Sequence, residues 1–175
     1  MGTRGLIIIK HNKQIKVSQY CQFDMYYDGH GKHIAEILQK MLKDNVYDRF
    51  KELVSNLKFV DDDYLQEKYQ GKVATQLLRN TASDIFPLII QGVQEFYDCT
   101  DYLFGPWLSY AYMIDLDRNE LLVYTTHSDV EGPRMVLNGR EAAYLIHHHT
   151  FKINRRLLKK YNAFVKEFYE SMEEN

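Results

Sequence analysis

This 175-residue chain is short of long apolar runs, cysteine, proline and net charge, and each shortage excludes something. No stretch approaches the ~18 residues of a membrane span. The early apolar run at residues 6–9 is too brief for a signal-peptide core. Gly2 invites lipidation, but that motif wants Ser or Thr where Leu6 stands. The two cysteines, Cys21 and Cys99, without a secretion signal, read as free thiols of a cytoplasmic protein. Three prolines (Pro87, Pro106, Pro133) and nine glycines leave no room for a linker or a low-complexity tract. The length therefore suits a single domain over residues 1–175. A net charge of −2 argues against a globally basic nucleic-acid binder. A 45% hydrophobic content removes disorder.

What is present is alternation and aromatic content. Residues 4–10 are rich in isoleucine and His11-Asn12-Lys13 makes a turn. Residues 14–23 then alternate, with Ile15, Val17, Gln19, Cys21 and Phe23 on one face. Ile34, Ile37, Leu38, Met41 and Leu42 form a helical stripe after the Gly29-His30-Gly31 turn, and Val46, Phe50, Leu53, Val54 and Leu57 form another. Asp61-Asp62-Asp63 predicts a helix start, with weaker helical spacing over residues 64–79. Thr81 or Ser83 caps a further helix through Ile90, provided Pro87 falls in its first turn. Residues 108–115 alternate, turn at Asp117-Arg118-Asn119, and return over residues 121–126 as a second hairpin, and residues 130–137 add a shorter strand. Ile153, Leu157, Tyr161, Phe164, Phe168 and Met172 predict a C-terminal helix. The fold expected is α+β: one antiparallel sheet made by the two hairpins, with helices packed on it.

The candidate site is the junction after the first hairpin. A strand face that is apolar at Ile15 and Val17 and polar at Gln19 leads into Asp24 and Tyr26, then into Gly29, His30, Gly31 and Lys32. Glycines at a strand-to-helix junction let amides approach an anion, and a helix start favours one. The same glycines equally serve a tight turn with Asp28 as helix cap. Tyr26 and Tyr27 beside it, and Tyr110, Tyr112 and Tyr124 on the other hairpin, offer stacking faces for a base or ordinary core rings.

Two other groups draw notice. Lys152, Arg155, Arg156, Lys159 and Lys160 crowd the start of the last helix, where cations oppose the dipole. They suit an acidic partner or a solvated face. His147-His148-His149, read as helical, point in different directions and cannot share one ion, and the Asp115-Leu116-Asp117 pair is explained as well by a turn as by magnesium. No metal and no cofactor is expected. Cys21 near His30 and His33 suggests no more than a thiol within sequence reach of imidazoles.

The opening Met1-Gly2-Thr3-Arg4-Gly5-Leu6-Ile7, the Gln19-Tyr20-Cys21-Gln22-Phe23-Asp24 segment and Gly29-His30-Gly31 together resemble a group of uncharacterised proteins of phages, bacteria and fungi. The hairpin at residues 110–117 and 121–124 is similar to that group's Tyr-x-Ile-Asp-Leu-Asp element. Cys21, Phe23 and Tyr27 stand where Gly, Trp and Pro are usual there. A more distant likeness is to N-terminal-nucleophile hydrolases that begin Met-Cys-Thr-Arg. Here Gly2 occupies the nucleophile's place, so the scaffold's pocket is implied without its mechanism, and Thr3 could serve only after further processing.

Together these point to a non-enzymatic pocket protein of phage type that holds a small anionic, nucleotide-derived ligand in the host cytoplasm, sequestering a host immune signal. Arg4, Gln19, Gln22 and Asp24 would make polar contacts, Tyr26 would stack, and Gly29, His30, Gly31 and Lys32 would hold phosphate. A hydrolase acting on amides or phosphodiesters, and a protein-binding module using the basic segment, are the alternatives. Neither membrane nor nucleic acid is an expected partner, and self-association is left open.

Overall fold

The computed structural model describes residues 3–69 and 82–174, and these form an α+β domain. β1 (Gly5–His11) and β2 (Gln14–Cys21) make the first hairpin. Asn12 and Lys13 take φ of 54° and 62°, the left-handed turn that matches strand twist. After a wide turn come α1 (Lys32–Lys43) and α2 (Tyr47–Ser55), separated where Asn45 takes φ 57°. β3 (Lys58–Phe59), α3 (Asp62–Tyr69), α4 (Ile85–Ile90) and β4 (Glu95–Phe96) follow, with Pro87 in the first turn of α4. The helical spacing expected over residues 70–79 and the Thr81 cap lie outside the described residues. A short 3-10 turn at Thr100–Phe104 precedes β5 (Tyr110–Asp115) and β6 (Glu120–Thr125). The chain ends with β7 (Arg134–Leu137), β8 (Arg140–Lys152) and α5 (Leu157–Glu173). No helix among the described residues is long and apolar enough to cross a membrane.

Six strands form one curled sheet in the order β2-β1-β5-β6-β8-β7. All neighbours are antiparallel except β1 and β5, which run parallel where the two hairpins meet, so the sheet is mostly antiparallel, as expected. The cause is the first hairpin itself: β2 returns the chain to the end of the sheet where β1 begins, and the segment between the hairpins re-enters at that end, so β5 sets off in the direction of β1. Asp117 ties the two turns together: its carboxylate accepts the amides of Asn12 (2.7 Å) and Lys13 (2.8 Å).

Both faces of β1 are covered, which is why its sequence is apolar without alternation. Ile7 and Ile9 pack with Tyr112, Ile114, Leu121 and Val123 against the helices. Leu6 and Ile8 lie on the other face with Tyr20, Ala111 and Tyr124, covered by Leu103 and by Met135, Leu137 and Leu145.

The C-terminal third departs most from expectation. His147-His148-His149 belong to β8, not to a helix. A β-bulge explains their different surroundings: Val123 pairs with His149 and Tyr124 with His147, leaving His148 as the extra residue. His148 and His149 consequently both meet the ring of Phe164 in α5, while His147 meets Tyr124 on the opposite face. The expected helix starts later than Ile153. Lys152 ends β8, Arg155 and Arg156 lie in the connection, and only Lys159 and Lys160 stand in the first turn of α5. Arg156 is the N-cap of α5, so of the five cations only Lys152 is removed from the helix start and the conflict with the dipole remains.

Candidate functional site

Beyond Cys21 the chain bends sharply, with Asp24 at φ 54°, and coils through a wide turn at Tyr27–Gly31 into α1. The turn is closed by its own backbone. The amide of His30 donates to the Asp24 carbonyl (2.8 Å), and those of Gly29 and Gly31 donate to the Tyr26 carbonyl (3.1 and 3.3 Å). Lys32 donates to the Gly29 carbonyl. Two buried hydroxyls fix the segment from below: Tyr112 Oη donates to the Met25 carbonyl (2.6 Å) and Tyr161 Oη to the Tyr27 carbonyl (2.7 Å). A Cβ on Gly31 would overlap both hydroxyls, and one on Gly29 would overlap the Asp24 carbonyl. Glycine is required here for close approach to protein atoms. The amides expected to hold an anion are spent on the turn itself, which corrects the phosphate-cradle expectation for Gly29, His30, Gly31 and Lys32.

A hollow of about 410 Å³ nonetheless opens at this corner, lined by Asp24, Tyr26, Asp28, Gly29, His30 and His33. The Tyr26 ring is 42% exposed and rests edge-on against Tyr110, with centroids 6.2 Å apart. Asp28 accepts a hydrogen bond from Tyr169 Oη in α5 (3.0 Å). Asp24, by contrast, makes no side-chain hydrogen bond or ion pair among the described residues. Phe23 is exposed beside it.

His30 and His33 share one tether. Ser83 Oγ, 1% exposed, lies 3.1 Å from His30 Nδ1 and 3.0 Å from His33 Nδ1. A hydroxyl has one proton to give and two lone pairs to receive with, so at least one of the two rings donates from Nδ1. A ring that donates from Nδ1 presents Nε2 as an acceptor when neutral. A ring that receives the Ser83 proton at Nδ1 keeps its Nε2–H. Burial pushes the His30 pKa below its ordinary value, against the opposing pull of the Asp24 carboxylate, so the neutral ring is favoured at pH 7.

Of the residues singled out from sequence, Asp24, Tyr26, Gly29 and His30 line the hollow. Gln19 does not: it is buried and donates from Nε2 to the Tyr97 carbonyl (2.9 Å). Gly31 is buried beneath the corner, and Arg4 immediately precedes β1, its carbonyl accepting the amides of Ser109 and Tyr110. Gln22 is half-buried and Lys32 exposed, both outside the lining. Sequence reasoning missed Asp28, His33 and Ser83 as parts of one constellation. Ser83 was legible only as a helix cap, because its meeting with residues about 50 positions earlier is set by the packing of α4.

The other candidates are satisfied locally. Asp115 Oδ1 accepts the amides of Asp117 and Arg118 (3.0 and 3.1 Å), and among the described residues no group of three or more His, Cys, Asp and Glu is placed to hold a metal. Burial raises the Cys21 thiol pKa, and the thiol donates to the Phe23 carbonyl (3.3 Å). A hollow of about 610 Å³ between α1 and the start of α5 includes Gln39, Lys40 and Arg155. Its Gln39 already accepts the Leu158 amide (2.8 Å), and Lys40 is paired with Asp44 (2.8 Å).

Compared with known protein families, with curated proteins and with solved structures, the chain has no match.

Proposed function

We propose that the protein binds a guanine-type nucleotide, base inward, in the corner hollow. The observation that carries this reading is Asp24: an exposed carboxylate without a side-chain partner among the described residues, set beside an exposed ring and two tethered imidazoles. A carboxylate accepts two parallel N–H donors. Guanine offers such a pair, a ring N–H next to an amino group, with a carbonyl alongside. A ring that receives the Ser83 proton at Nδ1 keeps its Nε2–H and supplies a donor for that carbonyl. Tyr26 supplies a stacking face, worth ~1–3 kcal/mol per base.

With the turn amides spent, phosphate is not cradled and faces solvent, where Lys32 is exposed at the first position of α1. The ligand remains anionic, but its affinity resides in the base. Binding is favoured over turnover because Ser83 is 1% exposed and both of its hydrogen-bonding functions are engaged. The backbone amides of residues 29–32 are also unavailable to an oxyanion. Joined to the resemblance to phage proteins, this reading makes the chain a holder of a host nucleotide signal in the cytoplasm.

Calorimetry with guanosine, guanosine monophosphate, inosine monophosphate and adenosine monophosphate tests it. Guanosine should bind within a few-fold of its monophosphate. Inosine monophosphate, lacking the amino group, should bind about tenfold more weakly. Asp24→Asn should erase that preference. No heat from any of them at millimolar concentration overturns the reading.

A further inference from the structure

The strand registers lay three rows across the face of the sheet turned away from α1, α2 and α5. Lys10, Asp115, Glu120 and Lys152 form the outermost row. Ile8, Met113, Leu122 and Thr150 form the next, and Leu6, Ala111, Tyr124 and His147 the third. The rows pass from charged to apolar to aromatic. Because the sheet curls, β7 rises along one side and brings Arg134, Met135 and Val136 over them. The resulting cleft holds about 430 Å³, within the range of about 300–1,000 Å³ usual for small-molecule sites.

Its charges are unevenly matched. Glu120 is paired with Lys152 (3.7 Å), and Asp115, 5% exposed, has one carboxylate oxygen on the turn amides of Asp117 and Arg118. Lys10, Arg118 and Arg134 all line the cleft and make no ion pair among the described residues. The mouth is therefore cationic while its acids are occupied. Below it, Met113 and Leu122 are half-buried and form an apolar floor packed on the second core. His147 is held in place by Thr150 Oγ1 (2.7 Å) and by the ring of Tyr124 (5.5 Å).

We propose that this cleft is a second binding site, for a medium-chain carboxylate. Its head lies among Lys10, Arg118 and Arg134, and its chain lies over Met113 and Leu122. The charge imbalance selects an anion, and the pliable methionine floor selects an aliphatic body over a flat, hydrogen-bonding one. The proposal is independent of the corner hollow, which opens on the helix-covered face near Met25.

The six methionines make the test direct. In methionine-methyl-labelled protein, octanoate should shift Met113 and Met135 saturably and leave Met25 and Met41 in place. Octanol should bind about tenfold more weakly, and Arg134→Ala, at an exposed position, should weaken octanoate about fivefold. Absence of any shift overturns the proposal. So do equal responses to octanoate and octanol, or unchanged affinity in both Arg118→Ala and Arg134→Ala. A shift confined to Met25 overturns it as well, by moving the ligand to the corner. Guanosine monophosphate should leave Met113 and Met135 unmoved, so failure at one site is read separately from failure at the other.

Discussion

Tyr27 Oη lies 2.8 Å from His148 Nδ1, joining the coiled corner to the bulge of β8. His148 is a neutral ring at this contact near pH 7. Burial lowers its pKa from 6.5 to about 4, with His149, His147 and His127 adding to the effect. Phe164 and Phe168 of α5 pack on both rings. Because the folded pKa lies below the unfolded one, the stability linked to this group is whole above about pH 6.5 and drains away as pH falls towards about 4. Discounted for partial exposure, the loss is about 1–2 kcal/mol. Denaturant titrations at several pH values should show it, and His148→Leu should flatten that stretch of the profile. An unchanged slope in the variant contradicts the account.

Ser83 makes a prediction about protons. At pH 7.5, nitrogen-resolved imidazole spectra should show at least one of His30 and His33 carrying its proton on Nδ1, since the single Ser83 proton cannot serve both rings. Ser83→Ala should release that preference and weaken nucleotide binding several-fold without unfolding the chain. Protons on Nε2 alone in both rings of the parent protein would show that the shared tether does not operate.

Gly31 carries a packing prediction. Gly31→Ala places a methyl group against Tyr112 Oη and Tyr161 Oη, neither of which can retreat without releasing a backbone carbonyl. The expected cost is about 1–3 kcal/mol in urea denaturation. Tyr161→Phe, which strands the buried Tyr27 carbonyl, should cost about 1–3 kcal/mol.

Gln19 separates fold from site. Its amide is fixed on the Tyr97 carbonyl (2.9 Å) and is absent from the hollow. Gln19→Ala should lower stability by about 1–3 kcal/mol and leave nucleotide affinity in the surviving folded protein unchanged. A selective loss of affinity would place Gln19 in the site after all.

The hairpins were legible because their signals are local. Alternation marks β5 and β6, and Asn12 and Asn119 sit where the chain needs φ of 54° and 53°. β8 was not legible, since its bulge breaks the period of two at the histidines and its first half pairs with a different strand from its second. Ile153 kept helical spacing with Leu157 by coincidence of packing on the same core. At the corner, residue types were readable but their directions were not. A glycine that approaches a ligand and one that approaches a tyrosine hydroxyl look the same in sequence. Gln19 misled for a related reason: a polar residue on an apolar face marks either a rim or a buried bond, and only the position of Tyr97 decides.

Seven histidines report on the corner most directly. During titration with guanosine monophosphate, the imidazole resonances of His30 and His33 should move together and saturate. Those of His11, His127, His147, His148 and His149 should stay where they are. Movement confined to the β8 histidines, or no movement at all, contradicts a base-binding site between Asp24 and Ser83.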